Sequence, residues 1–189
     1  MRKDDVVNLF LNKCRELGGT PKIENSPHSP LLGCQLSSLK NGMELSRFAE
    51  KIEVPKDTTV IIFFITGIEK TETCDIDFLH VEKKYEGGRS SHISISLNFP
   101  RVIPENMYEP LDKEVRGIVE KELGNLRRKA IASSSVYSPG KANLSINTED
   151  ELEDEEIDKI LDCVKLIEKR IKEVSGDTKR ISEKIFLNI

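Results

Sequence analysis

The sequence predicts an α+β fold: an N-terminal helix, an antiparallel sheet of about four to five strands, then two C-terminal helices, the last long and heptad-like. Three observations carry this. Apolar residues recur at helical spacing at both ends of the chain, β-branched and aromatic residues crowd its centre, and Pro100, Pro104 and Pro110 separate the two patterns.

Val6, Val7, Phe10, Cys14 and Leu17 follow helical spacing, with Asp4 or Asp5 placed to cap the start and Gly18-Gly19 to stop it. From Thr20 to Pro30 three prolines predict a surface loop. Leu31 to Leu39 reads as a strand, Asn41-Gly42 as a hairpin turn, and Met43 to Val54, ambiguous by pattern, is taken as a further strand. Thr58 to Ile68 is apolar on both faces, as a strand in the middle of a sheet would be. Cys74 to Tyr85 and Ser91 to Phe99 flank Glu86-Gly87-Gly88 and predict a hairpin, its second strand turning Ile93, Ile95, Leu97 and Phe99 inward and serines outward.

Leu111, Val115, Ile118, Val119, Leu123, Leu126 and Ala130 make an amphipathic helix. The serine-rich stretch 132–147 predicts a flexible linker between an α+β domain, 1–131, and a C-terminal helical segment, 148–189. In that segment Ile157, Ile160, Val164, Ile167, Ile171 and Val174 form one stripe. Thr148 and Glu151 have capping-box spacing, acids fill the first turn, and Lys165, Lys169, Arg170 and Lys172 suit the C-terminal end of the macrodipole.

Composition excludes several function classes. The net charge of −4 gives no reason for attachment to nucleic acid or an anionic membrane, and Arg127-Arg128-Lys129 complements a helix end. The run Val60 to Ile65 falls far short of the roughly 20 residues of a membrane span. Met1-Arg2-Lys3 leads into Asp4-Asp5, unlike a signal peptide, so the expected location is cytoplasmic and the chain soluble. Cys14, Cys34, Cys74 and Cys163 contain no Cys-x-x-Cys pair and read as buried or free thiols in a reducing compartment. Phosphate-binding glycine motifs and a Gly-x-Ser-x-Gly elbow are missing, and no cofactor is expected. Ser138-Pro139-Gly140-Lys141 has the form favoured by proline-directed kinases.

The candidate chemistry lies on the hairpin. With the turn centred at Glu86, His80 and His92 fall opposite each other across the strands. Cys74, Asp75, Asp77 and His80 offer ligands that suit zinc, but alternation splits them between faces, so no metal site is expected. Asp77 followed by Glu82-Lys83-Lys84 resembles the Asp…Glu-x-Lys signature of metal-dependent nucleases of the restriction-endonuclease type. That resemblance implies two carboxylates sharing Mg²⁺ with Lys84 beside the attacked phosphate. The element order also resembles the RWD and ubiquitin-conjugating-like folds, in which a helix precedes a meander and a proline-rich segment. Phe99-Pro100 and Glu109-Pro110 stand where those prolines would, and the analogy concerns fold alone.

Two function classes follow. The preferred one is a non-catalytic interaction or assembly protein, binding a protein partner or forming a homo-oligomer through the coiled-coil-like stripe Ile157 to Val174. The alternative is a metal-dependent nuclease or phosphoesterase-like enzyme using His80, His92, Asp77, Glu82 and Lys84.

Overall fold

The computed structural model describes residues 2–24, 29–57, 60–99, 103–124, 131–137, 141–148 and 152–175; within 131–137 and 141–148 it describes the backbone. The architecture is α+β, with four α-helices among the described residues and strands in the order β1-β2-β3-β4-β5-β7-β6. The chain divides into two compact units. The first comprises 1–69, 77–94 and 147–152, the second 70–76, 95–146 and 153–189.

In the first unit, α1 (Lys3–Glu16) starts where the Arg2 backbone N–H donates to Asp5 Oδ2 at 2.8 Å, and ends at Gly18, φ 78°. It buries Val6, Phe10, Leu11 and Cys14. The chain then forms β1 (Thr20–Glu24) where the prolines predicted a loop. A strand tolerates proline at a sheet edge, and β1 begins the strand order. It pairs antiparallel with β2 (Leu31–Leu36), Thr20 opposite Gln35 and Glu24 opposite Leu31.

The main departure from expectation follows β2. Residues 39–51 form a helix, α2 (Leu39–Lys51), rather than a turn and a strand. Ser38 accepts from the Asn41 N–H at 3.3 Å as N-cap, and Leu39, Gly42, Met43, Ser46 and Ala49 line the buried side at three- and four-residue steps. Gly42 turns nothing: a Cβ there would lie 2.3 Å from Phe78 Cε2, so glycine is needed for close approach. Because α2 carries the chain back, β2 and β3 (Ile61–Lys70) pair in parallel, Leu31 opposite Ile62 and Leu36 opposite Gly67. The sheet is therefore mostly antiparallel rather than wholly so, and the RWD-like meander is interrupted by a βαβ crossover.

On the covered face of this unit, Leu32, Cys34 and Leu36 of β2 and Ile61, Phe63 and Ile65 of β3 are buried; Phe10 meets Phe63 with ring centroids 5.0 Å apart. Phe78 fills a socket made by Gly42 and Gly67. The other face is only half covered: Ile62, Phe64 and Thr66 are half-buried and Ile68 is 49% exposed. Thus β3 sits inside the strand order with one fully buried face, not two.

Cys14 and Cys34 are joined as a disulfide, tying α1 to β2, while Cys74 and Cys163 are free and buried. The widely spaced cysteines gave no sign of this pair, because they stand 20 positions apart in sequence and the chain between them folds back through β1. The expectation of four thiols is corrected accordingly.

The hairpin is as predicted, β4 (Asp75–Tyr85) and β5 (Gly88–Phe99) about Glu86-Gly87, with Gly87 at φ 85°. Ile93, Ile95, Leu97 and Phe99 are buried and Ser94, Ser96 and Asn98 half-buried. In the second unit, a 3-10 turn at Glu105–Met107 leads into α3 (Tyr108–Leu123), which buries Leu111, Val115, Val119 and Leu123. The predicted linker carries two strands, β6 (Ile131–Tyr137) and β7 (Lys141–Thr148). Serine content suggested a linker, but Ile131, Val136, Tyr137, Ile146 and Thr148 have the β-branched and aromatic character that favours strands. The Ser138 motif lies outside the described residues.

The last helix, α4 (Asp154–Ser175), is 22 residues long. Its start is several residues beyond the expected Thr148 cap, which ends β7; the Glu153 N–H donates to Glu156 Oε1 at 3.1 Å. Ile157, Ile160, Val164, Ile167 and Ile171 are 0–1% exposed within this chain, and Val174 is half-buried. Arg170 holds Glu114 of α3 through paired guanidinium bonds, one of 2.8 Å, and that pairing depresses the Glu114 carboxyl and raises Arg170. Thr71 donates to Glu168 and Lys172 pairs with Glu72 at 3.2 Å, so the helix is fastened to the turn before β4. Five of the six stripe residues are thus buried within the chain. No helix among the described residues is long and apolar enough to cross a membrane.

Candidate functional site

The turn end of the hairpin gathers three of the buried ionisable groups among the described residues, His80, Glu82 and Lys84. The two-residue turn pairs Tyr85 with Gly88, so even-numbered residues of β4 share a face with odd-numbered residues of β5. His80, Glu82 and Lys84 point to the covered face, where they are 1%, 0% and 5% exposed. Arg89 and Ser91 join them from β5. By the same parity Asp77 and His92 belong to the opposite face, Asp77 half-buried and His92 exposed. The expected His80–His92 pair fails because the turn is centred between Glu86 and Gly87 rather than on Glu86. That is one residue of register, and it reverses a face.

Within the cluster, Arg89 Nε donates to Glu82 Oε1 at 2.7 Å and Arg89 NH1 to Glu50 Oε1 at 3.0 Å. His80 Nε2 lies 2.8 Å from Ser91 Oγ and 3.2 Å from Glu82 Oε2. Among the described residues neither Glu82 Oε2 nor His80 Nδ1 has a hydrogen-bond partner. Burial pushes the Glu82 carboxyl up, but His80 and then Arg89 outweigh it and hold the group below the ordinary glutamate range. It is an ion held by its neighbours.

Lys84 is committed to the backbone. Its ammonium donates to the Glu50 carbonyl and, at 2.5 Å, to the Ile52 carbonyl, where α2 ends. Burial lowers the Lys84 pKa against the raising influence of Glu82, Glu50 and Glu53. At the other end of α2, Glu69 accepts from the Leu39 N–H at 2.7 Å. The crossover helix therefore has an acid from β3 at its N-terminus and a base from β4 at its C-terminus, each matched to the macrodipole and to backbone groups the helix leaves unpaired.

Ser91, His80 and Glu82 are the residue types of a nucleophile, a base and an orienting acid, yet serine and glutamate both approach Nε2. A proton relay needs them on opposite ring nitrogens. The nuclease-like resemblance needs Asp77 and Glu82 on one ion, but they occupy opposite faces, and no group of three or more metal-ligating side chains occurs among the described residues. A shallow depression of about 420 Å³ borders the cluster, lined by Ile52, Glu53, Val54, Lys84, Tyr85, Gly88 and Arg89; neither Glu82 nor His80 lines it.

Sequence reasoning named His80, Glu82 and Lys84 but missed Arg89, Ser91, Glu50 and Glu69. The parity of a Glu-Gly two-residue turn was the signal for Arg89 and Ser91. Glu50 and Glu69 become neighbours only through the unforeseen helix. Compared with protein-family models, curated proteins and solved structures, the chain matches none.

Proposed function

We propose that the protein is a non-catalytic interaction or assembly protein whose partner is another protein or a second copy of itself. One observation carries this reading: the residues proposed for chemistry are divided between two sheet faces, and those that meet on one face are occupied with one another and with the end of α2. A catalytic group must reach a substrate, and Glu82 has no exposed side-chain surface. The stripe on α4 supports interaction less than its pattern suggests, since all of its residues but Val174 are buried within the chain.

The test is an assay of the intact protein with Mg²⁺, Mn²⁺ or Zn²⁺ against a nitrophenyl phosphodiester and against single- and double-stranded DNA and RNA. The expected result is no turnover above the blank. Metal-dependent hydrolysis that Glu82→Gln abolishes would restore the enzyme reading.

A further inference from the structure

We infer that β1 is the edge on which a second copy of this chain pairs, antiparallel and about a two-fold axis through Ile23. It rests on the interaction reading only for its biological sense, since the geometry stands without it.

The strand order begins at β1, so no other strand among the described residues pairs with its outer side. Thr20, Lys22, Ile23 and Glu24 are exposed, and Ile23 keeps 46% of its surface, uncommon for an isoleucine in a strand. Pro21 lies opposite Cys34 and has no N–H, so its place in the ladder is one whose backbone groups face away from β2. Ile23, two residues on, then presents both its N–H and its C=O at the free edge. β1 is also held rigid, being paired along its length to β2, which the Cys14–Cys34 bond fastens to α1. Little ordering remains to be done on binding.

The sequence selects the occupant. In an antiparallel self-pairing centred on Ile23, each Ile23 N–H donates to the other Ile23 carbonyl, and the two side chains lie directly opposite. Lys22 of each copy then stands opposite Glu24 of the other, which gives two reciprocal ion pairs around an apolar centre. Charged residues on an edge often serve to repel other strands. Protection of that kind uses like charges, which repel a second copy in any register centred on the strand. Lys22-Ile23-Glu24 does the reverse, because its charges change sign across the symmetry point. A five-residue strand buries little area, so the dimer is weak, with a dissociation constant in roughly the micromolar to millimolar range.

Sedimentation equilibrium on the full chain tests this with a charge exchange. Lys22→Glu leaves two acids and Glu24→Lys two bases, so each variant alone should dimerise about ten-fold more weakly or worse than wild type. An equimolar mixture should recover a heterodimer of wild-type strength, as should the homodimer of the doubly exchanged Lys22→Glu/Glu24→Lys chain. All these positions are exposed, and unchanged melting curves establish that the variants fold. A wild type monomeric up to about 1 mM overturns the inference. So does association that both single reversals leave unchanged, or a mixture no stronger than its components. Hydrolytic activity in the assay above would overturn the non-catalytic reading and leave this one standing.

Discussion

Arg89 Nε donates to Glu82 Oε1 at 2.7 Å, joining a guanidinium about one-third exposed to a carboxylate with no exposure at all. Arg89→Met strands that carboxylate beside His80 and also releases Glu50. The expected cost is about 2–3 kcal/mol, at or below the lower end for breaking a buried pair because the arginine is partly in water. Chemical denaturation of the variant measures it.

The same pair sets a pH dependence. The Glu82 pKa is lowered on folding from its ordinary value of 4.5, so the unfolded chain binds the proton more readily. The stability this contributes is fully present above about pH 4.5 and is lost as pH falls through the lower folded value. Wild type should therefore lose stability in acid more steeply than Glu82→Gln. Parallel denaturation series down to pH 3 decide it; equal slopes would mean that Glu82 is not held ionised.

Phe78 sits between two glycines of different elements, and a Cβ at Gly67 would fall 2.2 Å from its Cζ and 2.1 Å from the Leu36 carbonyl oxygen. Gly67→Ala should destabilise by about 1–3 kcal/mol or more through overpacking. Combining Gly42→Ala with Phe78→Leu should recover part of the cost of Gly42→Ala, whose three nearest contacts all belong to that ring. Thermal melts of the single and double variants check both statements.

Gly42 also shows why part of the fold was hidden in the sequence. Asn41-Gly42 has turn composition, and the ring that demands the glycine is 36 positions away, so local chemistry pointed to a hairpin where the chain makes a helix. α1, β3, β4, β5, α3 and α4 were legible because each carries its own period. β1 was not, since an edge strand accepts the proline that argues against it. For the candidate site, residue types were readable but their face was not, because the parity of a hairpin depends on the centre of its turn. The α4 stripe could be seen to be buried, but a period does not say against what.

That stripe gives a further prediction. Ile167 has no exposed surface within the chain, so Ile167→Ala should cost about 2–5 kcal/mol without changing the oligomeric state. Denaturant unfolding joined to light scattering separates the outcomes. Dissociation of an assembly with little change in stability would return the stripe to the role of an interface.

Thiol chemistry follows from the Cys14–Cys34 bond and the two buried cysteines. The Cys163 thiol is pushed up to about 12 by burial, with Glu122 adding to it, and should not react with a thiol reagent in the native protein at pH 8. After unfolding without reductant, mass spectrometry should find Cys74 and Cys163 alkylated, and all of Cys14, Cys34, Cys74 and Cys163 once reductant is added. Reduction should cost about 2–4 kcal/mol of stability, as usual for a loop of this size.

In the function proposed above, His80, Glu82, Lys84 and Arg89 hold the hairpin to the end of α2 instead of acting on a substrate, and the unfolding free energy of Glu82→Gln at pH 7 tests this most directly. Residues kept for activity are often a burden on stability, and replacing them leaves a protein as stable or more so. Residues that close a buried network behave in the opposite way. Glu82→Gln should lower stability by about 2 kcal/mol or more, because Arg89 and His80 lose the charge they surround. An unchanged or increased stability would contradict it.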